Sequence, residues 1–358
     1  MTSEEIRDAV WRMGAQARNA SYELVKLTTD RKNTILRAMA DALVARQEGI
    51  LEANAKDLAA AEEAGLSAAM VDRLRLTPDR IAAMAKGIRE VADLHDPVGE
   101  VIREWTRPNG IRIQKKRVPI GVIGIIFESR PNVTADAAVL CFKTGNATIL
   151  RGGREAIHSN VAIAAALQEG GAAAGLPDHS IQLIPFTDRE SVRHMAEMDR
   201  YLDLIIPRGG AGLIETVVSL ARMPVIKHYD GICHTYVDRS ADQDMATRIA
   251  LNAKTQKPGV CNAMETLLIH RDIATEFAPK IAAAMAEKGV ELRGDPEFVR
   301  LSRSDRVKSA TEEDWVTEYL ELILSVAVVD DLDSAIAHIN RHGSHHSDCI
   351  VTNDEAAA

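Results

Sequence analysis

Cys261 is the side chain whose setting most suggests covalent chemistry. Lys257-Pro258-Gly259-Val260 leads into it, and Asn262-Ala263-Met264-Glu265-Thr266 follows. A proline and a glycine bring the chain tightly up to an apolar segment. Main-chain N–H groups at such a turn can lower a thiol's pKa and hold a developing oxyanion. The alternative is a structural cysteine, since free thiols are among the most often buried groups. Of the other cysteines, Cys141 lies in an apolar helical run and reads as core. Cys233 and Cys349 stand near histidines, which leaves thiolate activation open for them. The run from His342 to Cys349 has metal-ligand residue types, but its spacing fits no familiar zinc pattern. It is expected to be a polar loop lining a cleft, with no metal.

Two strand–glycine–helix junctions could hold an anion. One is Leu150-Arg151-Gly152-Gly153-Arg154, the other Ile206-Pro207-Arg208-Gly209-Gly210. Glycines opening a helix let N–H groups approach a phosphate, and the helix dipole favours its charge. Neither junction has the GxGxxG spacing of dinucleotide folds, and a helix cap with a tight turn explains either equally well. Arg151 and Arg154 could pair with a ribose phosphate, or be ordinary surface arginines.

The elements that must position these groups are legible in the periodicity. Residues 1–95 carry Ala, Leu and Met at helical spacing, with Thr77-Pro78 as an N-cap and first helical residue. Residues 98–118 alternate apolar and polar around Asn109-Gly110, which predicts a β-hairpin with positive φ at both turn residues. A two-stranded arm is marginal alone, so it is expected to pack on a partner subunit. From Pro119 to Asp238, short apolar strands alternate with helical runs. The strands are expected at 121–127, 147–150, 181–185, 202–207 and 224–227, in a parallel doubly wound sheet that binds ligands at its strands' carboxyl ends. A second α/β unit follows from 241, with strands expected at 265–270, 325–329 and 349–352.

Bulk properties fit this reading. The chain has 358 residues, 46% of them hydrophobic and 4% aromatic, four cysteines and a formal net charge of −9. So acidic a chain is a poor nucleic-acid binder. The charged N-terminus has no secretory h-region, no stretch is apolar enough to span a membrane, and widely spaced cysteines suit free thiols. A cytoplasmic enzyme acting on a small molecule, without nucleic-acid or membrane partners, is expected.

Taken in order, several segments resemble the aldehyde dehydrogenase superfamily, and within it the gamma-glutamyl phosphate reductase family. They are Val118-Pro119-Ile120-Gly121-Val122-Ile123-Gly124 with Phe127-Glu128-Ser129-Arg130-Pro131-Asn132-Val133-Thr134, Lys143-Thr144-Gly145-Asn146 with the first glycine junction, the second junction, His228-Tyr229-Asp230-Gly231-Ile232-Cys233-His234, and the Cys261 segment. The resemblance implies an α/β aldehyde dehydrogenase-like fold. A doubly wound NADP-binding domain (1–97 and 119–240) is joined to an α/β catalytic domain (241–358), and an oligomerisation hairpin (98–118) protrudes. It implies Cys261 as nucleophile, with its own N–H and the side chain of Ser129 or Asn132 as oxyanion donors. NADPH is implied as cofactor, because Arg154 stands where NAD-preferring relatives carry an acid. Arg151 and Gly153 are expected beside Arg154, and Gly209 and Gly210 near the pyrophosphate. Arg130, His228 and His345 are implied substrate contacts, and a homo-oligomer, dimer or tetramer, is implied too.

Oxidising members carry a glutamate in a Glu-Leu-Gly-Gly segment that activates water. The matching segment here, 227–234, has none, which fits reduction of an acyl phosphate to an aldehyde. A reductase of coenzyme A esters would share these features, and an inactive homologue is the non-enzyme alternative. Relatives also continue past the last strand into a nicotinamide-side loop and an oligomer strand. A chain ending at Ala358 is therefore expected to leave the cofactor cleft incomplete and the hairpin unpaired.

Overall fold

The computed structural model describes every residue except Ser129, and only the main chain of Ala68 and Ala69. The chain divides into two compact units, Met1–Lys227 and His228–Ala358.

The first unit opens with helices α1 (Ser3–Leu24), α2 (Thr29–Ala45), α3 (Gln47–Glu63), α4 (Ala68–Leu74) and α5 (Pro78–Asp93). The capping signal at Thr77 is realised: its side chain accepts from the Arg80 N–H, and Pro78 fills the first turn. Ile81, Met84, Ala85, Ile88 and Ala92 form the buried stripe of α5, which packs on α2.

The hairpin forms from β1 (Val101–Thr106) and β2 (Arg112–Lys116), with Trp105 opposite Ile113. Its turn differs from the expected one. Only Gly110 has positive φ (84°). The Gly110 N–H donates to the Arg107 carbonyl, and the Arg107 N–H to that of Ile111. Pro108 is the reason: its ring locks φ near −65°, which suits the second position of a type I turn followed by a left-handed glycine. That makes a three-residue loop.

Then follow β3 (Val122–Phe127), α6 (Asn132–Lys143), β4 (Ala147–Arg151), a 3₁₀ turn (Arg154–Ala156), α7 (Ile157–Ala173), β5 (Ile181–Leu183), α8 (Glu190–Ala196), β6 (Leu204–Arg208) and α9 (Ala211–Leu220). The strands pair in parallel in the order β5-β4-β3-β6. Every residue of β3 and β4 is buried, as expected of strands covered on both faces. The expected strand at 224–227 is reduced to one bridge, Ile205 to Val225, because Pro224 has no N–H to extend a ladder.

The second unit holds β7 (Cys233–Val237), α10 (Gln243–Thr255), β8 (Met264–His270), α11 (Arg271–Glu287), β9 (Glu291–Gly294), α12 (Pro296–Ser302), β10 (Lys308–Ser309), a 3₁₀ turn (Glu312–Val316), β11 (Ile323–Val329), α13 (Leu332–His342) and β12 (Asp348–Val351). Its parallel sheet runs β10-β9-β11-β8-β7-β12. The unit boundary therefore falls at 227/228 and not at 240. All five residues of β7 are buried and pair with β8 and β12, so they belong to the second sheet. No helix among the described residues is long and apolar enough to cross a membrane.

Candidate active site

In the first unit the two glycine junctions differ. At the β4 junction, the leading N–H groups of α7 are already taken. The buried Asp57 carboxylate accepts from the His158 and Ser159 N–H groups at 3.1 and 2.8 Å, and from the Ser159 hydroxyl at 2.6 Å. Arg151 is also committed. It is buried, and its guanidinium donates to the Gly152 carbonyl (3.1 Å), the Thr187 carbonyl (3.0 Å) and the Ser191 hydroxyl (3.4 Å). These bonds tie the loop before α8 to the end of β4. Arg151 is thus a brace rather than the open phosphate ligand expected from sequence. Arg154, in the 3₁₀ turn after Gly153, is exposed.

The β6 junction is the open one. Gly210 caps α9 with no side-chain cap, and a Cβ there would meet nothing within 4 Å. The Glu128 carboxylate accepts from the Gly210 N–H at 3.1 Å and lies over Gly209, where a Cβ would come within 2.5 Å of it. The start of α9 therefore already attracts an anion, and the bare glycines leave room for a larger one. This geometry fits a pyrophosphate. Asn132 opens α6 and gives its amide to Asp136 at 2.9 Å. Arg130 is half-buried just before that helix. Ser129 lies outside the described residues.

In the second unit, Cys261 sits half-exposed in a turn between α10 and β8. The Ala263 N–H closes that turn on the Val260 carbonyl at 3.0 Å. The lead-in to β7 lies flush against it: a Cβ on Gly231 would come within 1.8 Å of the Cys261 oxygen. The Cys233 thiol donates to that same oxygen at 3.2 Å and lies 3.9 Å from His346 Nδ1. The Ile232 N–H donates to the Ser344 hydroxyl at 2.9 Å, so the polar loop before β12 braces this lead-in. His228 packs edge-on against His346 with centroids 4.3 Å apart, and its Nε2 is buried without a hydrogen-bond partner. His345 is exposed in the same loop with φ of 57°. The segment 228–234 thus touches the cysteine turn and is itself braced by 342–349, far away in sequence.

Cys233 corrects one expectation. Burial pushes its thiol up to about 12, with the charges of Asp348 and Glu265 adding to the rise. It stays protonated and is no thiolate. Behind the turn lies a feature the sequence reading passed over. Lys254 of α10 and Glu265 of β8 form an ion pair at 2.6 Å with side chains 0% and 1% exposed. Burial raises the Glu265 carboxyl to about 7 and lowers the Lys254 ammonium, while their mutual attraction opposes both shifts. Its one signal in sequence is a glutamate in a mostly apolar strand. Among the described residues no group of three or more His, Cys, Asp or Glu side chains could hold a metal ion.

The aldehyde dehydrogenase family profile matches residues 2–300. The gamma-glutamyl phosphate reductase of Geobacter metallireducens is 56% identical over 349 residues, covering 98% of this chain and 83% of that protein. That of Moorella thermoacetica is 56% identical over 345 residues, covering 96% and 82%. The crystal structure of the Thermotoga maritima gamma-glutamyl phosphate reductase matches with a TM-score of 0.91 at 44% identity, over 97% of this chain and 84% of that one. An acetylating aldehyde dehydrogenase from Geobacillus thermoglucosidasius, 19% identical with a TM-score of 0.71 over 99% and 83% of the two chains, shares the fold alone. The chain belongs to the gamma-glutamyl phosphate reductases of the aldehyde dehydrogenase family.

Proposed function

We infer that the chain reduces L-glutamate 5-phosphate to L-glutamate 5-semialdehyde with release of phosphate, using NADPH, in proline biosynthesis. The observation that carries this reading is Cys261 on its braced, half-exposed turn, beside a segment 228–234 that holds no glutamate.

The Cys261 thiolate attacks the acyl carbon. The S–C bond forms, the C–O bond to phosphate breaks, and phosphate leaves. In this reading the Cys261 N–H takes the oxyanion. Asn132 gives one amide hydrogen to Asp136 and keeps a second for the oxyanion. NADPH, when bound, would supply the hydride that reduces the thioester; the C–S bond then breaks, releasing the aldehyde and the free Cys261 thiolate. His228, with its unpartnered buried Nε2, is the substrate-binding candidate the site supports best; Arg130 and His345 remain further candidates. Without the water-activating glutamate of oxidising members in segment 228–234, the thioester survives until reduction. The test is the acyl acceptor in the reverse direction. NADP⁺-dependent oxidation of glutamate semialdehyde should require phosphate and gain nothing from coenzyme A. Turnover with coenzyme A in place of phosphate would favour the thioester-forming alternative.

The cofactor reading places the pyrophosphate at Gly209 and Gly210, in exchange for the Glu128 carboxylate, and the 2′-phosphate at the exposed Arg154 rather than at the bonded Arg151. A charge-assisted pair with a phosphate is worth about 1.5–3 kcal/mol. Arg154→Glu is therefore expected to cut the preference for NADPH over NADH at least about tenfold in Kd, read by fluorescence titration. An unchanged ratio would move the 2′-phosphate elsewhere. We further propose that the chain works in the cytoplasm as a homo-oligomer, a dimer or tetramer, through the hairpin, whose Val101, Ile102, Trp105 and Ile111 are exposed.

A further inference from the structure

The turn that carries Cys261 has a built-in ambiguity. In the Val260–Ala263 turn, closed by the Ala263 N–H on the Val260 oxygen, Cys261 and Asn262 are the central residues. The peptide joining them is the one that rotates between type I and type II turns. Type II needs positive φ at Asn262, which asparagine tolerates better than most residues. Asn262 is not in the left-handed region here, so the turn is held as type I. The flip would swing ψ of Cys261 by roughly 150° and replace its carbonyl on that face with the Asn262 N–H.

Something must select one state, and one side chain touches the oxygen that would move. Cys233 is 3% exposed, and its Sγ lies 3.2 Å from the Cys261 oxygen. His346 Nδ1, the other acceptor in reach, is farther at 3.9 Å and already pairs with the Ser347 hydroxyl at 2.8 Å. Three features hold the thiol in place. Gly231 lets the main chain approach the Cys261 carbonyl, where any Cβ would collide. Ile232 is tied to Ser344. The β7–β8 pairing sets Cys233 opposite Met264, at the point where the register shifts before His234 pairs with Thr266.

We propose that Cys233 is a positioning residue for the nucleophile: its thiol proton, donated to the Cys261 carbonyl, locks the Cys261–Asn262 peptide with the Asn262 N–H on the opposite face and so fixes the turn that carries the Cys261 thiol. This rests on the reading of Cys261 as nucleophile. Burial, by pushing the Cys233 thiol up to about 12, keeps the donor protonated at working pH. A thiolate there would repel the same carbonyl.

Three variants of the full chain test it. Cys233→Ala and Cys233→Val, which lack a donor but differ in volume, should each lower kcat about tenfold, the worth of one modest hydrogen bond. KM for phosphate and semialdehyde should stay within twofold. The rate of iodoacetamide labelling at Cys261, located by peptide mass mapping, should fall in parallel. Cys233→Ser keeps a donor and should stay within about threefold of wild type in both readouts. If valine restores what alanine loses, the role is packing and the proposal is overturned. It also fails if serine is as impaired as alanine, or if alanine acts through KM alone. Should alanine not fold, the serine and valine pair decides alone. Cys261→Ala separates the two readings: if it stays active, the nucleophile assignment falls, whatever Cys233 does.

Discussion

Cys261→Ala is expected to lower reduction of the acyl phosphate at least about ten-thousandfold, leaving NADPH affinity unchanged. Losses of that size follow when the group forming a covalent intermediate is removed. The structure gives the expectation its shape. Cys261 is half-exposed in a turn, while Cys141 and Cys233 are buried and pushed up to about 11 and 12. Burial also raises the exposed Cys349 thiol. None of these three is poised to substitute. Cys261→Ser keeps the shape and a weaker nucleophile, and should fail nearly as badly. Intact cofactor binding in both would place the defect in chemistry, because Arg154 and the Gly209–Gly210 junction belong to the other unit.

The largest expected effect on stability comes from the Lys254–Glu265 pair. Both side chains are buried at 2.6 Å separation, and one Glu265 oxygen also accepts from the Leu320 N–H at 3.3 Å. Removing one member leaves an uncompensated buried charge, which costs about 3–5 kcal/mol, whereas replacing both with apolar residues is often neutral. Glu265→Ala and Lys254→Ala should each lower Tm by roughly 10 °C or more, and Lys254→Met with Glu265→Leu should recover most of that. A loss in the double equal to the sum of the two single losses would mean that the sites act independently. The pair joins the last turn of α10 to the start of β8, the elements that flank the Cys261 turn, so the singles should also lose activity near their Tm.

Much of the architecture was readable because it follows local rules. The cap at Thr77, the apolar runs of β3 and β4 and the strand–helix alternation each depend on a few neighbouring residues. What was not readable depends on distant ones. Positions 233–237 read as part of the first domain, because nothing local shows that a sheet of the second unit buries them. The hairpin turn looked like an Asn-Gly type, but Pro108 outweighed that dipeptide. Arg151 looked like a ligand because a sequence cannot show the Thr187 carbonyl and Ser191 hydroxyl that take its donors. In the same way Asp57 gave no sign that it fills the start of α7. At the site, Cys261 and the two histidine-bearing motifs were legible singly. The bracing of 228–234 by 342–349, and the Cys233 contact, came only with the fold.

The central claim is a Cys261 thioester that waits for phosphate rather than for water. Mixing enzyme with glutamate semialdehyde and NADP⁺, without phosphate, tests it most directly. The account predicts a single burst of one NADPH per site, a glutamyl adduct on Cys261 by peptide mass, and resumed turnover when phosphate is added. Steady NADPH formation without phosphate, or a burst with no adduct on Cys261, would contradict it.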